Sequence, residues 1–409
     1  MKRRLGVLIT LIMIFVLMLS LYWNEIRGII NKNKINQENW VGIWTASMQA
    51  PLDDGTSHKE FNNQTIRMIV HPHVDGKKVR LRVSNTFSNE PLAIEEVHVA
   101  ISKNAADIEP DTDHQVKFGG KSTVTIPPGE RKYSDSISIE MSGNKGLAVS
   151  LYVKGKSGPV TWHPVSMQTT YISGGNDVSN SDSSAFNKRE EAWFWLDGVD
   201  IIADPSVKGS VVVMGSSIAN GNHSTVNANH RWTDYLAKRL KQENTGMTVL
   251  NAGISANHLI NNPPENGDNA LARLERDVFN QSGVKSLILH QGLNDIRHHP
   301  EYDADKIIER MKQIIDSTHD QGLTIYGGTL TPFKGSGMFT SQGEETRQEV
   351  NHWIRTSGEF DGVIDFDKAM RNPDEPSRYL TKYDSGDHLH PNDAGYKRMA
   401  ETVDLSLFK

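Results

Sequence analysis

The feature that most constrains this chain is a change of hydrophobic period near residue 205. Before it, from about Trp40 to Ile202, apolar residues recur every second position. In "TIRMIV", Ile66, Met68 and Val70 alternate with the other face. In "VRLRVSN", Val79, Leu81 and Val83 alternate with Arg80 and Arg82. "STVTIPPGE" and "GLAVSLYV" repeat the pattern, which predicts an all-β, sandwich-like region over 39–204. Asp75-Gly76 between the first two runs predicts a hairpin turn. Residues 176–190 are a polar loop that precedes "WFWLDGVDI". Its aromatics suit either a sandwich core or a carbohydrate platform.

After residue 205, short apolar runs alternate with helical ones. "GSVVVMG" predicts a strand buried on both faces, and "MTVLNAG", "VKSLILHQG", "LTIYGGTL" and "GVIDF" predict four more strands. Between them, "RWTDYLAKRLKQ" places Trp232, Leu236 and Leu240 on one helical face. "LARLERDV" does so with Leu271, Leu274 and Val278, and "DKIIERMKQIIDS" with Ile307, Ile308, Met311, Ile314 and Ile315. Ser341 with Glu344 predicts a capping box for the helix through "TRQEVNHWI", and "NDAGYKRMAETV" predicts the last helix. Such alternation implies a parallel sheet with helices on both faces over 205–409, its ligands bound at the carboxyl ends of the strands.

The N-terminus adds a separate expectation. "MKRR" precedes Leu5–Trp23, a run without charge and about the ~20 residues that cross a bilayer. Lys2, Arg3 and Arg4 orient it with the remainder of the chain outside the cytoplasm. Residues 1–23 therefore read as an uncleaved transmembrane signal anchor, with a secreted chain as the alternative if the segment is cleaved; 24–38 read as a polar linker. The net charge of −6 argues against a general nucleic-acid binder. The absence of cysteine excludes disulfides, thiolate metal sites and a cysteine nucleophile. Oligomeric state is not readable from the pattern.

Three strand-end loops carry "GSSIANG", "NAGISAN" and "GLND", and the stretch before the last helix carries "DHLHPND". Each alone is ordinary turn chemistry. Together they put a serine, a histidine and a carboxylate on one rim. A serine hydroxyl needs a base within hydrogen-bond reach. His390 is the candidate, with Asp387 three residues earlier to orient the ring. The Ser217 and Gly253 N–H groups and the Asn294 amide are candidate donors to an oxyanion. His388 and His390 form an H-x-H pair without evident further ligands, so no metal is expected. His71, His73, His298 and His299 read as surface histidines, Asp295 as a cap or loop brace, and Trp232 as helix packing.

These four segments resemble the sequence blocks of the SGNH, or GDSL, hydrolase superfamily, in order and over 207–409. The β region resembles the N-terminal domain of a bacterial subgroup through "NQTIRMIV", "VRLRVSN" and "WFWLDGVDI". The resemblance implies a three-layer α/β/α, flavodoxin-like domain with a five-stranded parallel sheet, and ester hydrolysis through an acyl-enzyme without metal or organic cofactor. It makes Ser217 the nucleophile, His390 the base and Asp387 its orienter. It makes Ser217, Gly253 and Asn294 the oxyanion donors. One departure stands out: Ser216 occupies the place of an aspartate. The expected activity is extracytoplasmic hydrolysis of short acyl, chiefly acetyl, esters of carbohydrate. The alternatives are a lipase or lysophospholipase with the same triad, or a non-catalytic glycan-binding module.

Overall fold

A computed structural model describes residues 39–53, 55–58 and 60–409, of which Trp40–Lys409 form one compact unit. The charge-free run Leu5–Trp23 lies outside the described residues, among which no helix is long and apolar enough to cross a membrane.

The N-terminal part is all-β. Strand β1 (Trp40–Thr45), β3 (Gly76–Ser84), β5 (Ile137–Met141) and β8 (Leu196–Ile202) belong to one antiparallel sheet in the order β1-β8-β3-β5. Strand β2 (Asn62–Val70), β4 (Glu96–Asn104), β6 (Leu147–Lys156) and β7 (Thr170–Gly174) belong to a second, in the order β7-β2-β6-β4. Ile66, Met68 and Val70 of the second sheet and Val79, Leu81 and Val83 of the first meet in one apolar core. The expected hairpin at Asp75-Gly76 is therefore absent: β2 and β3 lie in different sheets, and 71–75 cross between them. His73, in the left-handed region at φ 55°, anchors this crossing through Nε2, 3.1 Å from Asp234 Oδ1. It is buried at that contact, not a surface histidine. Trp193, Phe194 and Trp195 are all buried in the same core, so the aromatic run is packing on both faces and offers no platform.

The C-terminal part is a parallel sheet of β9 (Gly209–Gly215), β10 (Met247–Gly253), β11 (Val284–His290), β12 (Thr324–Gly328) and β13 (Gly362–Ile364), in the order β10-β9-β11-β12-β13. Side chains alternate across a strand, so β9 buries Val212 and Met214 in one core and Val211 and Val213 in another. That is why "VVVM" is apolar at every position. Helices α1 (Ser217–Asn220), α2 (Trp232–Gln242), α3 (Leu293–His298), α4 (Ala304–Asp320), α5 (Ser341–Thr356), α6 (Phe366–Met370) and α7 (Asp393–Thr402) complete the three layers. Trp232, Leu236 and Leu240 of α2 pack on one face of the sheet, and Ile307, Met311, Ile314 and Ile315 of α4 on the other.

Two local expectations change. Helix α5 is capped one residue earlier than expected: Thr340 accepts from the Gly343 N–H at 3.0 Å, while Glu344 pairs with Arg347. "LARLERDV" is no regular α-helix but turns leading into a π-helical segment, Glu275–Phe279, closed by Asn280 N–H to Glu275 O at 3.0 Å. The wider turn still buries Leu274 and Val278, and it also buries Asp277.

The β region covers the edge of the parallel sheet. Gly42 N–H donates to Ser282 O at 2.8 Å and Thr248 Oγ1 to Gly42 O at 2.6 Å. A buried ionic network also joins the two parts. Arg82 and Arg131 from the β region hold Asp197, and Arg131 approaches Asp277, which Arg273 and Arg276 also contact. Burial alone would raise the Asp277 pKa, but these guanidinium groups outweigh it and hold the carboxyl far below the usual range.

Candidate active site

Strand β9 ends at Gly215 and the chain turns at once into α1, whose first residue is Ser217. The helix is a single turn ended by Gly221 at φ 96°, a left-handed conformation that glycine adopts without strain. A Cβ there would also meet Arg231 Cγ at 2.4 Å. Ser217 thus stands at the carboxyl end of a strand fixed on both faces, where the topology places ligand sites. Ser216 is the residue before the helix, and its side chain makes no capping bond.

The chain then brings His390 across 173 residues to Ser217: Nε2 lies 2.8 Å from Ser217 Oγ. The other ring nitrogen, Nδ1, lies 2.6 Å from Asp387 Oδ2. The remaining Asp387 oxygen, Oδ1, accepts from the N–H groups of Leu389 and His390 and from Ser385 Oγ, at 2.9, 2.8 and 3.0 Å. Burial pushes the Asp387 pKa up, but the hydrogen bonds from the His390 ring and from these two N–H groups prevail and hold it well below the carboxylate range. Asp387 is thus an anion that fixes hydrogen on Nδ1 and leaves the Nε2 lone pair facing Ser217. That arrangement can remove the serine proton. The H-x-H pair is split: His388 Nδ1 faces Asp384 Oδ2 at 2.6 Å, away from His390's partner.

Asn294, on α3, is buried beside this rim. Its Nδ2 donates to Asn257 O at 3.0 Å and its Oδ1 accepts from Arg297 Nη1 at 3.0 Å. These bonds fix the amide and leave one Nδ2 hydrogen free. The Ser217 N–H, in the first turn of α1, has no acceptor among the described residues.

Gly253 requires a correction. Its N–H donates to Asn251 Oδ1 at 2.9 Å, so it is not free for an oxyanion. The glycine serves close packing instead: a Cβ there would stand 2.3 Å from Asn220 N, inside the backbone of α1. The turn that follows, closed by Asn257 N–H to Ile254 O at 3.2 Å, carries Ala256 at φ 58°. The Ala256 N–H has no acceptor among the described residues. This turn is tied to the other elements of the rim through Asn294 Nδ2 to Asn257 O and through Asn222 Nδ2 to Ser255 Oγ at 2.8 Å.

Five further groups stand around the site; Asp295 is the expected cap or brace, whereas His223, His163, Arg231 and Arg273 carry no local signal for their contacts. Asp295 is a loop brace whose two oxygens accept the Leu259 and Ile260 N–H groups at 2.7 and 2.9 Å; burial raises its pKa to about 6. His223, two residues past Gly221, stacks on His390 with ring centroids 4.9 Å apart. From the β region, buried His163 Nε2 lies 2.8 Å from Asn220 Oδ1, while the Asn220 amide donates to Val165 O at 2.7 Å. Arg231 adds a bond to Ser166 O, and Arg273 joins Gly215 O, Ala252 O and Ser47 Oγ. The β region therefore holds the back of the nucleophile turn directly.

Comparison with known proteins follows the same boundaries. The model of the GDSL-like Lipase/Acylhydrolase family matches residues 213–398. No curated protein matches the chain. Among solved structures, a GDSL-like lipase from Bacteroides thetaiotaomicron VPI-5482 is 17% identical with a TM-score of 0.37, covering 48% of this chain and 87% of its own. A carbohydrate acetylesterase from Sinorhizobium meliloti is 16% identical at 0.38, over 47% and 94%. An inhibitor-bound aryl esterase of M. smegmatis is 14% identical at 0.38, over 49% and 96%.

Proposed function

We propose, from the triad and from the match of residues 213–398 to the GDSL-like lipase/acylhydrolase family, that this chain is a serine ester hydrolase in which Ser217, His390 and Asp387 hydrolyse short acyl, chiefly acetyl, esters of a polar alcohol such as a carbohydrate. One observation carries the reading: the unbroken hydrogen-bonded chain from Ser217 Oγ through His390 to Asp387, at 2.8 and 2.6 Å.

In this reading Ser217 Oγ attacks the acyl carbonyl while His390 Nε2 takes its proton. Asp387 stabilises the imidazolium without accepting a proton itself. The Ser217 N–H and the free Asn294 Nδ2 hydrogen stabilise the oxyanion, and an N–H of the turn after Gly253 is a third donor in this reading. Collapse expels the alcohol, which receives the proton from His390. Water then repeats the sequence on the acyl-enzyme and releases the acid.

The surroundings support a short acyl chain on a polar alcohol. Asn222, Ser255, Asn257, Asn294 and Arg297 make the loops after β9 and β10 and the start of α3 a polar, hydrogen-bonded set. The exposed large apolar residues among the described ones are Tyr133, Val165, Met338 and Val363, little apolar surface for a long acyl chain. The run Leu5–Trp23 behind Lys2, Arg3 and Arg4 further motivates the proposal of a membrane-anchored enzyme acting outside the cytoplasm.

The test is a series of p-nitrophenyl esters of increasing acyl length beside acetylated polysaccharide, each with wild type and Ser217→Ala. The reading expects acetyl and propionyl esters to be turned over fastest. A preference for long acyl chains would overturn it in favour of a lipase. Equal inactivity of both proteins on every ester would overturn catalysis altogether. Protease accessibility of the folded domain on intact cells tests the location.

A further inference from the structure

We propose that His223, Asp387 and His390 form a binding site for a divalent transition-metal ion of the zinc class, and that its occupancy switches the esterase off. For its inhibition readout the proposal rests on the esterase reading above; for binding it does not.

One ligand atom from each of the three residues lies within 4.8 Å of the other two, a cluster of mixed imidazole and carboxylate donors. His223 Nε2 is 3.3 Å from Asp387 Oδ2, the same oxygen that lies 2.6 Å from His390 Nδ1. The two rings are stacked with 16° between their planes, so both present a nitrogen to one carboxylate oxygen. The His223 side chain is 48% exposed, open to an ion arriving from solvent. Its backbone stands at φ 67°, between Gly221 at φ 96° and Ser224, whose N–H closes the turn onto Gly221 O at 3.0 Å. A histidine held in this unusual conformation, over the catalytic pair, has Asp387 as its polar partner among the described residues. A zinc ion with ligands at about 2.0–2.2 Å needs roughly 3.3 Å between donor atoms. His223 Nε2 and Asp387 Oδ2 already have that spacing, and small rotations of Asp387 and the rings widen the 2.6 Å pair with His390 Nδ1 as the ion enters; water completes the tetrahedron.

The consequence for catalysis follows from the tautomer. Zinc binds the lone pair of His390 Nδ1, and the ring's single hydrogen relocates through solvent to Nε2. The ring stays neutral and no electron is transferred. His390 then donates Nε2–H toward Ser217 Oγ and has no lone pair left there to accept the serine proton. The ion also takes the Asp387 oxygen that orients the ring. It is therefore an inhibitor of this centre and not its cofactor. His388, held on Asp384 at 2.6 Å, stands outside the cluster and serves as a control.

The experiment titrates ZnCl2 into wild type, His223→Asn and His388→Asn while following hydrolysis of p-nitrophenyl acetate. Calorimetric titration of the same proteins with ZnCl2 reads binding without activity. Asparagine tolerates the left-handed conformation at residue 223 and can still reach Asp387. Each protein's inhibition is read against its own metal-free rate, and His223→Asn is the informative variant. Its half-inhibiting zinc concentration is expected to rise at least about tenfold, reversibly with EDTA in wild type, and one zinc equivalent disappears from the calorimetric titration. His388→Asn is expected to behave as wild type in both. Full wild-type activity at about 1 mM zinc, or equal inhibition of wild type and His223→Asn, would overturn the proposal. If no ester is turned over, calorimetry decides alone: loss of one equivalent in His223→Asn supports the site, and unchanged binding refutes it.

Discussion

His163 Nε2, on the β region, lies 2.8 Å from Asn220 Oδ1, on the last residue of the one-turn helix that opens with Ser217. The same imidazole has its Nδ1 2.7 Å from Ser47 O. Both neighbours are acceptors, so the ring satisfies both only when each nitrogen carries hydrogen. Burial opposes that charge and, despite these bonds, lowers the pKa. The nucleophile is thus positioned from behind by a residue of the other sheet system.

Replacing His163 with alanine removes this support and leaves Asn220 Oδ1 without its partner. We expect kcat to fall about 10- to 100-fold, with KM changed less than about threefold, because nucleophile geometry is altered and the substrate contacts are not. Steady-state kinetics separates the two constants. A rise in KM with unchanged kcat would contradict a positioning role. A fragment limited to 205–409 exposes the contacts at Ser282, Thr248 and Arg273 and is expected to show no cooperative thermal transition.

The two adjacent serines should separate cleanly. Ser217→Ala is expected to reduce kcat by at least about 10⁴-fold. Ser216→Ala is expected to stay within about threefold, since the Ser216 side chain makes no capping bond. Labelling by a fluorophosphonate followed by peptide mapping checks both, because the adduct should sit on Ser217 alone.

Asn294→Ala removes the Nδ2 hydrogen that the proposed mechanism assigns to the oxyanion. A loss of about 10²–10³ in kcat with little change in KM is expected. Asn294→Asp keeps the shape and the bond from Arg297 but not the donor, so it should be equally impaired. Near-normal turnover by Asn294→Asp would assign the amide a purely structural part.

Acid stability should follow Asp277. Its folded pKa lies far below that of an unfolded aspartate, about 3.9. The stability it contributes is therefore complete above about pH 4 and is lost as pH falls from there toward the folded value. Asp277→Asn is expected to lower stability at pH 7 by about 3–5 kcal/mol, since it leaves buried Arg273 without its counter-charge. Urea unfolding at pH 7 and at pH 3 should show the gap between wild type and variant narrowing at the lower pH. A gap independent of pH would mean that the loss is one of packing and not of charge.

Much of this was legible in the sequence. The change of period near residue 205 separated alternating sheet residues from doubly buried strands, because burial on one face or two is written locally in each run. Loop chemistry identified Ser217, Asn294, Asp387 and His390. A strand end, a following turn and an i, i+3 pairing of carboxylate with imidazole are also local signals.

What the sequence determined by itself was the apolar faces of its strands and main helices and the triad residues of the rim. Only the tertiary structure decided their partners. Gly253 looked like a donor in its own loop, but its N–H is spent on Asn251, and its lack of a side chain serves the approach of α1. Asp75-Gly76 looked like a hairpin, but the cores of two sheets claim the strands on either side of it. His223 and His163 carried no motif, yet one reaches the carboxylate of Asp387 and the other the end of the nucleophile helix. Hydrophobic period and turn preference act over a few residues. The partner of a buried polar group 57 or 173 residues away depends on how whole elements pack, and that information is not local to any stretch of the chain.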